Sequence, residues 1–215
     1  MNKKTWLLLI IGLFLAVFFV LLLSVFGVRR RIDIAQTSGN CLYQIYEDRK
    51  IGQTFISNKD NLNIIILDLR NAMLKNEQSI FFYLKEVGTD RDLREIQING
   101  LNVGDPGSVR LQFEPISDSA GKSYYFYLES PSSTVFDAVE IFHSPKDVYS
   151  EGEMMVNGQK LEGELRFASY YYPGSKTTMF REMIRDFRAR LLVDKSFVIA
   201  YLFLLFLTFG LSLAI

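Results

Sequence analysis

An all-β domain of the β-sandwich or jelly-roll kind, set between two transmembrane ends, is the fold class this sequence predicts. Three observations predict it. Hydrophobicity alternates residue by residue through the middle of the chain, turn-forming clusters recur at short intervals there, and each end carries a long run without a charged side chain.

The chain has 215 residues, enough for one ordinary domain plus membrane segments. Residues 6–28 contain no charged side chain. About 20 apolar residues at 1.5 Å each cross a hydrocarbon core of roughly 30 Å, and this run meets that length. It follows Met1-Asn2-Lys3-Lys4 as a secretory signal would, but it exceeds the 7 to 15 or so apolar residues of a cleavable signal. Arg29-Arg30-Arg31 come directly after it, so residues 1–31 are expected to form a signal anchor.

From residue 32 to 176 the pattern is that of strands. Val109, Leu111 and Phe113 alternate with Arg110, Gln112 and Glu114, as a half-buried strand requires. Leu62 to Leu69 form a more buried one. Further strands are expected at 52–56, 79–87, 94–98, 123–129, 135–142, 153–156 and 164–171. Turn residues at 58–61, 104–107, 118–121, 130–133 and 156–158 separate them. Asn157-Gly158, between Met155 and Leu161, is a hairpin signal. Short strands at steady spacing, with no long helix among them, indicate the sandwich.

Residues 177–195 read as an amphipathic helix. Phe180, Met183, Ile184, Phe187 and Leu191 recur at helical spacing, with arginines on the other face. Such a helix beside a span lies on a membrane surface or packs on the domain's own core; both readings stand. Residues 196–215 again lack charge and form the second expected span. No polar tail follows, which leads us to expect a truncated or split relative of a longer polytopic protein.

Hydrophobic residues are 49% and charged residues 22% of the chain, and the net charge is zero. That zero conceals a segregation: residues 32–178 hold 14 basic and 21 acidic side chains. An acidic domain repels phosphate backbones, which argues against nucleic acid as a partner. The basic flanks suit anionic headgroups.

Three stretches carry a family resemblance. They are Gln53-Thr54-Phe55 ahead of Asn61-Leu62-Asn63-Ile64; Phe113-Glu114-Pro115-Ile116 running on through Asp118 and Gly121 to Tyr124; and Gly163-Glu164-Leu165-Arg166-Phe167 with Tyr170-Tyr171. Together with the helix and span that follow, they resemble the jelly-roll-like accessory domain of many uncharacterised bacterial membrane proteins. Those include polytopic glycosyltransferases that use lipid-linked sugars. The likeness spans roughly residues 50 to 205 and implies an accessory domain outside the cytoplasm that binds sugar. It implies no transferase activity, since the transferase part has no counterpart in this chain. In those relatives an aspartate and a small residue are expected where Glu164 and Arg166 stand.

Catalytic chemistry is hard to assemble from these residues. His143 is the only histidine and Cys41 the only cysteine, so a Ser-His-Asp or Cys-His arrangement would need His143, which reads as a strand-end residue. Cys41 has no basic neighbour in sequence, so it reads as unreactive, and it cannot form an internal disulfide. Paired acids such as Glu151/Glu153 and Glu162/Glu164 would suit a glycan hydrolase, but such pairs arise by chance in so acidic a domain. Asp60, Asp105, Asp118 and Asp147 lie in expected loops, where jelly rolls can hold a structural calcium. Their spacing matches no calcium loop, and no cofactor is expected.

Aromatic residues are the better lead. Tyr125 and Tyr127 share one strand face if Tyr124 and Phe126 point inward, and Tyr170 and Tyr172 close the domain. Exposed rings stack on sugars; the structural alternative is that they cover sheet edges or meet the membrane interface.

Sidedness rests on two opposed signals. About two Lys or Arg precede the first run and eight lie on the domain side, which by the positive-inside rule places the domain in the cytoplasm. That rule weakens for connections beyond about 60 residues, and the resemblance points outward. The expectation adopted is a cell-membrane protein with two spans and an extracytoplasmic, non-enzymatic domain that binds envelope glycan or assists a polytopic glycosyltransferase. A protein-binding scaffold and a carboxylate-pair hydrolase are the alternatives.

Overall fold

The computed structural model describes residues 4–6, 10–14, 30–199 and 202–203. The two runs expected to span the bilayer fall largely outside them. Among the described residues no helix is long and apolar enough to cross a membrane. The chain forms two compact units: a β domain, Arg30–Tyr172, and a unit made by the residues on either side of it.

The β domain is a sandwich of two antiparallel sheets. One has six strands in the order β11 (Gln159–Leu161), β10 (Met154–Val156), β3 (Glu47–Ile56), β8 (Ser123–Ser130), β5 (Ser79–Glu86) and β6 (Asp92–Asn99). The other runs β1 (Arg31–Gln36), β13 (Phe167–Tyr171), β4 (Leu62–Arg70), β9 (Val139–Ser144) and β12 (Glu164–Leu165), with β2 (Cys41–Ile45) on β9 and β7 (Gly107–Ile116) on β4.

Period-two alternation sets the faces. In β4, Ile65, Leu67 and Leu69 are fully buried between the sheets while Ile66, Asp68 and Arg70 alternate with them. In β8, Tyr124, Phe126 and Leu128 point inward. Phe167 of the larger sheet meets Phe55 and Phe126 of the smaller at ring-centroid distances of 5.6 and 5.4 Å. Apolar and aromatic burial of this kind is what joins the layers.

One polar pair also crosses between the sheets. Glu164, 3% exposed, accepts a hydrogen bond from the Gln53 side-chain amide. Gln53 Oε1 in turn accepts from the Leu165 N–H at 3.0 Å. Burial is the main cause that pushes the Glu164 carboxyl up to about 7.

Each of the nine expected strand segments contains a strand, with three differences. The segment expected at 135–142 starts at Val139, because Thr134 and Asp137 close a turn first: the Thr134 N–H and hydroxyl both donate to Asp137 Oδ1 at 2.6 Å. The strand expected at 164–171 is two strands that change neighbour at Arg166. β12 pairs with β9, and β13 pairs with β4 and β1. β1 and β2 were not foreseen; they extend the larger sheet.

In the flanking unit, α1 (Lys176–Val193) matches the expected helix at 177–195. Asp194 then caps the next helical turn: its side chain accepts from the Phe197 N–H at 3.0 Å. Phe187 and Phe197 meet edge to face at 5.8 Å.

Candidate functional site

The change of neighbour at Arg166 builds a polar depression on the outer face of the larger sheet. The Arg166 N–H donates to the Phe142 carbonyl at 2.9 Å, tying the junction to β9. The side chain then lies over that face, with the guanidinium carbon 5.2 Å from the centroid of the Phe142 ring. Nη2 reaches Asp68 Oδ2 at 2.8 Å, and Nη1 donates to the Gly39 carbonyl at 3.3 Å.

Asp68 is on this face because Leu67 and Leu69 take the inner one. Its second oxygen accepts from Ser108 Oγ at 2.6 Å, and Ser108 is its register partner on β7. Pro106 and Gly107 complete the lining of a depression of ≈ 270 Å³, near the small end of ligand sites.

A second ionic group flanks it. Arg70 Nε donates to Asp105 Oδ1 at 2.8 Å and Nη1 lies 3.5 Å from Glu140. The Met73 N–H, first, and Arg70, second, hold the Asp105 carboxyl below the usual carboxylate range. Opposite charges thus occur as pairs. The Arg166 Nε–H is buried without a hydrogen-bond partner, a cost the fold carries at this position.

Chemically the arrangement offers fixed donors from a guanidinium, acceptors from a carboxylate, a hydroxyl and an apolar ring edge. Those groups suit the hydroxyls and C–H faces of an uncharged polyol. The lining holds one hydroxyl beside a carboxylate, Ser108 on Asp68, and that carboxylate is at the same time paired with Arg166.

The residues singled out from sequence lie elsewhere. Tyr125 and Tyr127 share the outer face of the smaller sheet, where Phe81 and Tyr83 extend them into a row. Tyr83 and Tyr127 stack at 4.8 Å and 17°, and Tyr125 and Tyr127 at 5.5 Å and 21°. The first stack crosses from β5 to β8 and the second runs along β8, and in both the rings turn flat faces to each other. Lys85 and Lys50 lie 5.7 and 5.5 Å from the Tyr125 and Tyr127 ring centroids. Burial pushes the Tyr83 and Tyr125 hydroxyls up to about 12. Tyr170 is instead on the larger sheet, opposite Ile64 and Ile32. Tyr172 follows β13, its N–H donating to Asn61. The four tyrosines therefore do not form one surface.

Asp60 accepts from the Ala120 N–H at 3.0 Å and Asp118 pairs with Lys122 at 2.7 Å. Among the described residues no three His, Cys, Asp or Glu side chains converge as a metal site. Of the carboxylate pairs, Glu153 is bound to Lys160 at 2.6 Å and Glu164 is buried. Cys41 is exposed and is the cross-strand partner of His143, a pairing invisible in the sequence. The His143 ring meets Tyr43 edge-on at 6.4 Å, and its Nδ1 is buried without a partner.

Sequence reasoning passed over Asp68, Ser108 and Phe142 and gave Arg166 no part in a site. Alternation in β4 does place Asp68 outward, but register alone brings the four together. Of the four, only Arg166 stood out in the sequence, where it and Glu164 were expected to depart from the jelly-roll-like pattern.

No protein-family model matches the chain, and no curated protein matches it. Among solved structures, a clostridial cysteine protease after propeptide cleavage aligns at 9% identity and a TM-score of 0.48, over 67% of this chain and 40% of that one. The cysteine protease and lectin-like domains of a surface-layer-associated protein of Clostridium difficile align at 8% and 0.46, over 67% of this chain and 36% of that one. A mitogen from Yersinia pseudotuberculosis aligns at 10% and 0.30, over 55% and 95%. The chain thus spans less than half the length of the first two.

Proposed function

We propose that this protein is a membrane-tethered, non-catalytic binding module that takes an uncharged glycan of the cell envelope in the depression beside Arg166. The supporting observation is the Asp68–Arg166 pair laid over Phe142 and closed by Ser108. An acidic sugar would meet Asp68, and a cationic ligand Arg166, while vicinal hydroxyls satisfy both. The jelly-roll likeness and the two uncharged ends agree with a domain held at a bilayer outside the cytoplasm.

Full-length protein in lipid nanodiscs, tested against immobilised envelope polysaccharides, checks this. Binding is expected, with Arg166→Ala and Asp68→Ala each weakening it about tenfold or more, as loss of one partner of a charge pair does. Tyr125→Ala and Tyr127→Ala are expected to leave it unchanged. Absence of binding to every envelope glycan tried removes the reading.

One observation favours a protein-binding scaffold instead. Met73, Leu74, Leu101, Val135 and Phe136 are all exposed, Phe136 at 87%. They sit on three loops at one end of the sandwich, joined through the buried Asn76 side chain: its Nδ2 donates to Ser133 Oγ at 2.7 Å and to the Asp137 carbonyl at 2.5 Å. The Asn71 amide, which also bonds to Asn76, donates to the Gly100 carbonyl at 2.9 Å. Apolar side chains held this way mark contact surfaces. Crosslinking from position 136 to one protein, independent of sugar, would support the scaffold.

A further inference from the structure

Helix α1 carries an arrangement of charge that its composition does not reveal. Phe180, Ile184 and Phe187 are 49%, 43% and 36% exposed and form one stripe, at helical intervals of four and three. Each is followed at once by an arginine: Arg181, Arg185 and Arg188, all exposed. One residue is about 100° of rotation, so the arginines form a second stripe along one flank of the first. Glu182 and Asp186 come one residue later still, about 200° from the apolar line, on the far side of the helix.

Beyond α1 the Asp194 cap turns the chain into the next helical segment. At that corner Leu191, Leu192, Val198 and Ile199, with Lys195, line a largely apolar depression of ≈ 410 Å³. Leu192 is 86% and Ile199 69% exposed. The uncharged stretch from residue 196 onward begins at the same place.

We infer that α1 and this corner form a seat for an anionic phospholipid surface. The Phe180, Ile184 and Phe187 stripe enters the headgroup layer, the arginine flank and Lys195 meet lipid phosphates, and the corner depression takes acyl chain. Charge complementarity selects this occupant: the basic flank adjoins the apolar stripe while the acids are turned away from it. Continuity with the uncharged run places the corner where headgroups give way to hydrocarbon. The inference is independent of any sugar at Arg166.

The test uses the full chain with Cys41→Ser, reconstituted in phosphatidylcholine vesicles with or without phosphatidylglycerol. An environment-sensitive fluorophore is attached in turn through Ile184→Cys, Leu192→Cys and Glu182→Cys. Labels at 184 and 192 are expected to be quenched by brominated acyl chains and not by aqueous iodide, and the label at 182 the reverse. Spin-labelled phosphatidylglycerol is expected to be held about threefold more than phosphatidylcholine, a preference that falls to about one when Arg181, Arg185 and Arg188 are changed to Glu. Iodide quenching at 184 and 192 equal to that at 182 overturns the inference, as does shielding from both quenchers, which means a protein cover. An unchanged lipid preference after charge reversal overturns it too. The labelled single-site proteins keep the result readable should the triple variant fail to fold.

Discussion

Glu164 is a carboxylic acid enclosed between two sheets, and burial makes its neutral form the one the fold prefers. Its pKa is raised on folding, so its contribution to stability is complete below the ordinary glutamate range and is lost as pH climbs through about 7. The loss approaches an order of 3 kcal/mol if the whole shift is expressed. Glu164→Gln keeps an acceptor for Gln53 without the ionisation. Thermal melts from pH 4 to 8 are therefore expected to show the native protein falling relative to the variant, and parallel curves would refute the assignment. Ser169 offers a simpler case: it is fully buried, and its hydroxyl has no partner. Ser169→Ala should raise stability by about 1 kcal/mol, measured by urea titration, because an unsatisfied polar group leaves the core.

At the scale of elements, the smaller sheet depends on a glycine. Gly52 is the register partner of Tyr127, and a Cβ there would fall 2.7 Å from the Tyr125 ring and 2.8 Å from Tyr127 Cβ, with the Phe126 carbonyl closer still. Gly52→Ala is expected to cost about 1–3 kcal/mol by overpacking and to disturb the tyrosine row, seen as a change in near-ultraviolet circular dichroism. Strand existence was legible wherever alternation was clear, as in β4, β7 and β8. β1 and β2 were not, because they are short, lie just after a cluster of arginines, and gain their place from β13 and β9 rather than from local pattern. The break at Arg166 was hidden for a related reason. Both halves alternate as one strand would, and only the choice of neighbour separates them. The depression lined by Asp68, Ser108, Phe142 and Arg166, which depends on that choice, was equally hidden.

For the molecule as a whole, the exposure of Cys41 makes sidedness measurable. A membrane-impermeant maleimide is expected to label it in intact cells; labelling only after lysis would place the domain in the cytoplasm. Carbonate extraction should leave the protein in the membrane pellet, and recovery in the supernatant would refute two spans. On the proposed function, the junction at Arg166 would also tie recognition to the integrity of the larger sheet. Asp68 comes from β4, Ser108 from β7, Phe142 from β9, and Arg166 from the crossing point itself. A sugar resting there would act as a stitch across a seam. It would favour the closed arrangement by its own affinity, and a local parting of that seam would silence the protein while most of its body stayed folded.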